Sequence, residues 1–218
     1  MTRRAEDILD QLEVMFPAAH CELNHNDVYQ LTVAVALSAQ TPDAAVNKVT
    51  PALFRRYPDA NALAKADIME VQDSIKTLGL YRHKASNLVA MAQTLVSDDG
   101  GKVPDDRQKL EALPGIGRKC ANVILAVGFG QPALAVDTHV HRVAIRLKMA
   151  PADADVGKVE QYLLKQIPPQ RWSRAHHLLI FFGRYLCHAQ QPECWRCPFY
   201  RKCGYQGRRR QLEGHRRG

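Results

Sequence analysis

Apolar residues recur every three or four positions along most of this chain, which is the spacing of helices with one buried face. A first helix ends before Pro17, and its apolar stripe consists of Ala5, Ile8, Leu9, Leu12, Met15 and Phe16. The segment 28–39 is apolar on nearly all sides, which is typical of a buried helix, and Asp27 with Gln30 forms a capping pattern at its start. No segment of useful length alternates between apolar and polar residues. The sequence therefore predicts an all-α fold.

Capping residues, prolines and glycines indicate where further helices begin and end. We expect Thr41 to cap a helix that has Pro42 in its first position. Asp67 should cap another helix. A longer helix is predicted over residues 82–96, followed by a surface turn at residues 98–101.

The segment from Leu113 to Lys119, which reads LPGIGRK, lies between two predicted helices. The motif is thus helix, tight turn, helix. Glycine tolerates the positive φ that such a turn requires, and it leaves the backbone open to a ligand. The amide groups at the start of the second helix can bind a phosphate. Turns of this kind also join helices that bind nothing, so Gly115 and Gly117 alone leave both interpretations open.

Lys119 lies in the first turn of the second predicted helix, where the positive end of the helix dipole disfavours an ammonium group. A lysine that is partly neutral near pH 7 can act as an amine nucleophile, although a phosphate contact would explain it equally well. Asp137 follows 18 residues later. The helix up to Gly128 would be roughly 15 Å long. The residues after it could span about 30 Å, so the chain can bring Asp137 back to Lys119.

The charge composition gives weak evidence about what the protein binds. The 218 residues include 30 lysines and arginines against 22 aspartates and glutamates, a net charge of +8. This surplus favours a polyanion, although many basic proteins bind none. The N-terminal segment lacks an apolar signal core, and no stretch approaches the roughly 18 apolar residues of a membrane span. We expect a soluble, intracellular protein, in the cytoplasm or on the nucleoid, without structural disulfides.

Four cysteines lie close together near the C-terminus, at the spacing C-x6-C-x2-C-x5-C; they are Cys187, Cys194, Cys197 and Cys203. Four thiolates this close can enclose a metal centre. Structural zinc usually uses two close pairs of ligands, whereas only one C-x2-C pair is present here, so the spacing favours an iron–sulfur cluster over zinc. Disulfides are the third alternative. Cys21 and Cys120 are interpreted as packing residues.

Basic residues accompany these cysteines and continue to the C-terminus. Arg201 and Lys202 precede the last cysteine, with Arg184 and Arg196 nearby, and such a cluster is typical of a surface that binds DNA phosphates. The tail, residues 207–218, is basic and polar. It is predicted to be disordered and to add salt-dependent affinity for nucleic acid.

The LPGIGRK segment and the segment from Ala135 to His139, which reads AVDTH, together resemble the helix-hairpin-helix DNA glycosylase superfamily. Within it, the chain resembles the endonuclease III family along almost its whole length. Members of that family remove oxidised pyrimidines from DNA and cleave the strand at abasic sites. By this resemblance Lys119 is the catalytic nucleophile, Asp137 is the catalytic carboxylate, and the four cysteines hold a [4Fe–4S] cluster. The implied substrate is double-stranded DNA with damaged pyrimidines or abasic sites, bound by a monomer.

The same resemblance implies two helical domains with the active site in the cleft between them. Residues 24–131 would form a six-helix barrel that contains the hairpin, and residues 1–23 with 132–218 would form the cluster domain. The implied DNA-binding residues are Gln40, Leu80, Tyr81, Lys84, Gly115, Gly117, Arg118 and His139. Gln40 would fill the space left by an extruded base, and residues 78–84 would form a second intercalating loop. Without the resemblance, a solvated helix end and an ordinary connection explain both segments.

Two positions depart from the family pattern and leave the range of lesions open. Cys120 stands where the family often has threonine, and Pro42 lies in the loop after Gln40. Lys119 argues against two other subfamilies. Relatives that excise mismatched adenine generally carry serine at this position, and monofunctional mismatch glycosylases lack the lysine as a rule. A rival interpretation is a non-catalytic iron–sulfur protein that binds DNA or senses redox state. The residues alone do not exclude it.

Overall fold

The computed structural model describes residues 3–216, and in this range the chain contains helices and no strand, which confirms the all-α prediction. The α-helices are α1 (Arg3–Met15), α2 (Val28–Leu37), α3 (Asp43–Arg56), α4 (Ala60–Ala64), α5 (Ile68–Ile75), α6 (Tyr81–Asp99), α7 (Arg107–Ala112), α8 (Arg118–Val123), α9 (Thr138–Arg146), α10 (Val156–Gln166), α11 (Trp172–Tyr185) and α12 (Arg208–Arg216). A π-helical segment, Ile124–Gly128, continues α8, and 3-10 turns occur at Pro169–Arg171 and Cys194–Arg196. No helix among the described residues combines the length and apolarity needed to cross a membrane.

The chain divides into two compact units. The hairpin unit is Cys21–Gln131, and the cysteine unit is Met1–His20 together with Pro132–Gly218. The division expected from the sequence had its first boundary three residues later, between residues 23 and 24, and its second at the same place. The hairpin unit contains α2 to α8, and the cysteine unit contains α1 and α9 to α12.

In the hairpin unit, α2 is a buried helix, as its composition predicts, because its last seven residues are all buried. The Asp27 carboxylate accepts a hydrogen bond from the Gln30 amide at 2.8 Å. The Gln30 side chain in turn accepts one from the Asn26 amide at 3.0 Å, so both partners of the predicted capping pattern are used. Gly128 allows the π-helical segment to lie against α2, since a Cβ there would come within 3.0 Å of Val28 Cγ1.

In the cysteine unit, α11 packs on both α9 and α1. Gly183 permits the close approach to α9, because a Cβ at this position would lie 2.9 Å from His139 Cβ. Arg174 on α11 fastens the end of α1. Its guanidinium donates to the Glu13 carboxylate at 2.9 Å and to the carbonyl of Pro17 at 2.8 Å. The apolar stripe of α1 is thereby held against the core of the unit.

The start of α3 differs from the prediction. Pro42, not Thr41, is the N-cap residue, with an extended backbone (φ −60°, ψ 139°), and Asp43 is the first helical residue. Thr41 lies one residue before the cap, and its hydroxyl accepts a hydrogen bond from the ammonium group of Lys84. A contact between residues 43 positions apart cannot be read from local capping rules.

Two further predictions require correction. The helix predicted over residues 82–96 extends through Asp99, so the turn begins only at Gly100 and Gly101, whose φ angles of +60° and +82° end the helix. The prediction of a disordered tail is wrong for the described residues, because α12 extends to Arg216. Arginine, glutamine and leucine favour helices, and this outweighs the polarity of the segment. Arg217 and Gly218 lie outside the described residues.

Candidate active site and nucleic-acid interface

The hairpin between α7 and α8 has the predicted helix-turn-helix form. The Ile116 amide donates to the Leu113 carbonyl at 3.0 Å, which closes the turn. Gly115 has a φ of +81°, and a Cβ there would lie 3.1 Å from the side chain of Asn87. Both its conformation and its surroundings therefore require glycine. Gly117 is different: its φ is −97°, and a Cβ there would meet nothing within 4 Å.

Gly117 is the N-cap residue of α8, and no side chain caps this helix end. The amides that follow are thus left to a ligand or to solvent. Arg118 and Lys119 are the first two residues of α8, and both are exposed. Arg118 lies 4.0 Å from the Glu111 carboxylate, a surface ion pair. The hairpin therefore presents open amides and two cationic side chains on one short segment.

Asp137 is the N-cap residue of α9, a role that the sequence analysis did not assign to it. Its Oδ1 accepts a hydrogen bond from the Val140 amide at 2.7 Å, and the residue is half-buried. An aspartate directly before the helically spaced Val140, Val143 and Ala144 is the signal that could have predicted this cap. The cap fixes the orientation of the carboxylate. Lys119 belongs to the hairpin unit and Asp137 to the cysteine unit.

His139 lies on the first turn of α9, beside the crossing with α11. Its Nδ1 is 3.1 Å from Nη2 of Arg142, and burial lowers its pKa, opposed by the nearby Asp137 carboxylate. The same Nη2 of Arg142 donates to the Gly183 carbonyl at 2.9 Å. His139 is therefore partly enclosed within the packing of its own unit, and the half-exposed remainder of the ring is what a ligand can reach.

Gln40 and Leu80 share an unusual backbone conformation. Both are exposed residues other than glycine in the left-handed region, with φ angles of +52° and +59°. Leu80 leaves 58% of its surface exposed although it is apolar. Each such residue costs about 1–2 kcal/mol, and strain of this kind collects at binding sites. Exposing these two side chains thus costs backbone strain energy, and no contact among the described residues accounts for that cost.

Lys84 connects the segments that carry these two residues. It is buried, burial lowers its pKa, and its ammonium group donates to the hydroxyl of Thr41, which directly follows Gln40. Lys84 itself lies on the first turn of α6, which begins after Leu80. The sequence analysis predicted Lys84 as a DNA-binding residue, which stays a prediction; in the structure its ammonium group joins these two segments. Tyr81, next to Leu80, is half-buried and stacks against Arg82.

The four clustered cysteines line one small cavity, and none of them forms a disulfide. Burial raises the pKa of Cys187 and Cys194, and it raises that of Cys197 to about 12. Buried thiols of this kind stay protonated until a cation stabilises the thiolate. Nη1 of Arg146 lies 3.4 Å from Cys187 Sγ, and the Tyr205 amide lies 3.4 Å from Cys203 Sγ.

These features fit a cysteine-ligated cluster, because four soft ligands face one space and hydrogen-bond donors lie beside two of the sulfurs. In the part of the chain that the structure describes, no three histidine, cysteine or acidic side chains are already arranged as a metal site.

Two arginines on α9 hold the loop of these cysteines, a role that the sequence analysis missed. Arg142 donates from Nε to the Cys187 carbonyl at 3.1 Å. Arg146, one helical turn later, donates to the carbonyls of His188 and Ala189 at 2.7 and 3.0 Å. The spacing of four residues along the helix is visible in the sequence, but its target is not.

Comparisons with known proteins agree with this description. The pattern of HhH-GPD superfamily base excision DNA repair proteins matches residues 33–169. The chain is 47% identical to endonuclease III of Bacillus subtilis (strain 168) over 212 residues, which are 97% of this chain and 96% of that one. It is 44% identical to endonuclease III of Escherichia coli (strain K12), over 91% of this chain and 94% of the relative.

A solved structure supports the same relationship. A trapped endonuclease III–DNA covalent intermediate has a TM-score of 0.91 and 46% identity, and the match covers 96% of this chain and 99% of that one. The resemblance stated from LPGIGRK and AVDTH is thereby confirmed. The chain belongs to the HhH-GPD superfamily of base excision DNA repair proteins and, within it, to the endonuclease III family.

Proposed function

We propose that this protein is a bifunctional DNA glycosylase and abasic-site lyase, which removes oxidised pyrimidines from double-stranded DNA and cleaves the strand by β-elimination. The observation that carries the proposal is the exposed Lys119, two residues after the uncapped Gly117, in a chain 47% identical to an endonuclease III over 97% of its length. A relative trapped as a covalent intermediate with DNA is consistent with a nucleophile at this site.

The hairpin would hold a backbone phosphate next to the lesion. The tight turn at Gly115 and the uncapped amides after Gly117 form a segment whose backbone a phosphate oxygen can approach. The exposed Arg118 would add a charge-assisted contact that carries no sequence information. Such contacts position the strand without selecting its bases.

Lys119 would act as the nucleophile. Its neutral amine attacks C1′ of the deoxyribose, and the bond from C1′ to the damaged base breaks, so that the base leaves with the bonding electron pair. The C1′–O4′ bond of the sugar ring then opens, O4′ takes up a proton, and a Schiff base forms between C1′ and the lysine nitrogen. This Schiff base makes the C2′ proton acidic, and loss of that proton expels the 3′ phosphate, which cuts the strand. Asp137 would accept a proton from the ammonium group of Lys119 and stabilise the positive charge on the sugar. Its N-cap hydrogen bond keeps the carboxylate oriented for this task.

Gln40 and Leu80 would fill the space that an extruded base leaves in the duplex. Their strained, exposed positions support this role, because an unbound protein gains nothing from presenting them. The hydrogen bond from Lys84 to Thr41 would keep the two segments in a fixed relation, so that little freedom is lost on binding. Tyr81, next to Leu80, would contact the DNA together with these two side chains.

The four cysteines would hold a [4Fe–4S] cluster. The cavity that they share and the donors at Cys187 and Cys203 support this assignment. When bound, the cluster supplies cross-links that hold residues 187–203 in one conformation for contact with DNA. Arg142 and Arg146 on α9 hold the same loop through its carbonyl groups. No chemical step of the reaction depends on the cluster.

The protein would act as a monomer on damaged genomic DNA inside the cell, in the cytoplasm or on the nucleoid. The rival interpretations are a monofunctional mismatch glycosylase and a non-catalytic DNA-binding or redox-sensing protein. Neither is favoured by the relatives at 44–47% identity, which are endonuclease III enzymes. The lysine at position 119 also speaks against both.

A strand-cleavage assay on an end-labelled duplex with a single thymine glycol tests this function. We expect the unmodified protein to cut the strand without added alkali, and Lys119→Ala to lose cleavage while duplex binding stays within about twofold. Lys65→Ala is the matched control, because Lys65 is exposed at the end of α4 in the same unit. Cleavage only after alkali would identify a monofunctional glycosylase. No base release at all would identify a binding protein.

A further inference from the structure

A second cavity, of about 610 Å³, lies in the cysteine unit among α1, the end of α9 and the segment that follows Cys197. Its volume falls in the range of roughly 300–1,000 Å³ that is typical of small-molecule sites. Four cationic side chains line it against a single carboxylate: Arg4, Lys148, Arg201 and Lys202, with Asp7. None of the residues proposed for catalysis or base extrusion lines this cavity, although Arg201 and Lys202 belong to the cysteine loop that is proposed to contact DNA.

Three of the cations are available to a ligand. Lys148, Arg201 and Lys202 are exposed, and among the described residues no carboxylate forms an ion pair with them. Arg4 has a different task, since its Nη2 donates to the Leu147 carbonyl at 3.0 Å. It thereby offsets the partial negative charge at the end of α9, which would otherwise disfavour an anion.

Lys148 is held in a special conformation. Its φ of +57° lies in the left-handed region, which residues other than glycine rarely adopt. Its aliphatic chain packs on Gly204, because a Cβ on Gly204 would lie 3.3 Å from Lys148 Cε. This conformation ends α9, because the Met149 amide then donates to the Ala144 carbonyl at 2.8 Å. The helix end and the packing on Gly204 thus fix the stem of Lys148 where it lines the cavity.

The floor of the cavity is apolar, and it includes the buried side chains of Ile8, Leu147 and Phe199. A bare inorganic anion would leave this floor uncovered, and an apolar neutral compound would leave the cations without partners. Asp7 and Gln11 at the side of the cavity can form hydrogen bonds with hydroxyl or amino groups. The lining therefore suits a ligand that joins an apolar ring to an anionic group and carries hydrogen-bond donors.

We propose that this cavity is a nucleotide-binding site, distinct from the repair site. The phosphate contacts Lys148, Arg201 and Lys202, and the base lies against Leu147 and Phe199. The nucleotide has two sources with the same chemistry: a free mononucleotide, or an unpaired terminal nucleotide of a DNA strand. The proposal is independent of the glycosylase and lyase activities.

Calorimetric titration of the full chain with adenosine 5′-monophosphate at low ionic strength tests the site, with adenosine and inorganic phosphate as part-ligands. We expect the nucleotide to bind at least about tenfold more tightly than either part, because both the floor and the cations contribute. Lys148→Gly should weaken binding about fivefold, the effect of one solvent-exposed ion pair. This variant keeps the fold, since glycine adopts the positive φ without strain. Arg201→Ala should have a similar effect.

Lys158→Ala is the matched control, because Lys158 is exposed on α10 of the same unit and does not line the cavity. It should bind the nucleotide normally. The proposal is overturned if phosphate or adenosine binds as tightly as the nucleotide. It is also overturned if no binding occurs up to about 10 mM, or if Lys148→Gly and Arg201→Ala bind normally.

The source of the nucleotide is decided by displacement. An undamaged duplex with one unpaired 3′ nucleotide is compared with the blunt duplex as a competitor of the bound mononucleotide. Stronger displacement by the overhang assigns the site to a strand end, and equal displacement assigns it to free nucleotides. Both results support the site, and failure of the repair assay would leave either one unchanged.

Discussion

Asp137 has two roles in this account, as N-cap of α9 and as catalytic carboxylate, and substitutions can separate them. Asparagine caps helices as well as aspartate does but carries no charge, whereas alanine removes both the cap and the charge. Asp137→Asn should therefore keep the hydrogen bond to the Val140 amide, which is 2.7 Å long. Asp137→Ala should lose it.

The magnitudes follow from this one bond. Loss of an N-cap side chain costs about 0.5–2 kcal/mol, and we place a half-buried cap in the upper part of that range. The charge itself adds roughly 0.5 kcal/mol at a helix N-terminus. We expect Asp137→Asn to lower stability by at most about 0.5 kcal/mol and Asp137→Ala by about 1.5 kcal/mol. For a chain of this size, the second value corresponds to a fall in Tm of about 3–6 °C.

The assay combines thermal unfolding with strand cleavage on an abasic duplex. Both variants should lose at least about a hundredfold in single-turnover rate, because neither carries the carboxylate. Asp155→Ala is the matched control: Asp155 caps α10 of the same unit by accepting from the Lys158 amide at 2.8 Å, so it should lose stability without loss of activity. Full activity of Asp137→Asn would refute the catalytic role. Equal stability of Asp137→Asn and Asp137→Ala would refute the cap.

Three further predictions concern the loop, the hairpin and pH. Arg146→Met should lower stability by about 2–3 kcal/mol and reduce the cluster absorbance of the purified protein, because two charge-assisted hydrogen bonds to carbonyls are lost. Gly115→Ala should cost about 1–2 kcal/mol in thermal unfolding, whereas Gly117→Ala should cost less than about 0.5 kcal/mol, because only the first residue has a positive φ and a close neighbour. The hydrogen bond from Arg174 lowers the pKa of Glu13 from its usual value of 4.5, so the Tm difference between the unmodified protein and Glu13→Gln should be present near pH 7. The difference should shrink as the pH falls below 4.5 and be lost once the pH has passed the lowered pKa.

Local patterns in the sequence predict most of the helices, and the reasons are visible at single residues. The apolar stripe of α1, the cap at Asp27 and the hairpin between α7 and α8 each depend on residues no more than four positions apart. The cap of α9 at Asp137 was equally local and could have been predicted.

Features that depend on distant contacts could not be predicted. The sequence suggests that Lys84 is a surface cation, but the structure buries it against Thr41, which is 43 positions away. The strain at Leu80 leaves no mark in the sequence, since leucine gives no signal for a left-handed conformation. Arg201 and Lys202 were expected in a surface that binds DNA phosphates, which stays a prediction; that they also line a cavity with an apolar floor could not be predicted, because residues of α1 form part of its lining.

The central claim, a Schiff base between DNA and Lys119, is tested most directly by borohydride trapping. The protein is mixed with a duplex that contains one abasic site, sodium borohydride is added, and the cross-linked peptide is identified by mass spectrometry. We predict a covalent adduct on Lys119 that Lys119→Ala abolishes and Lys65→Ala does not affect. An adduct on another residue, or strand cleavage without any adduct, would contradict the account.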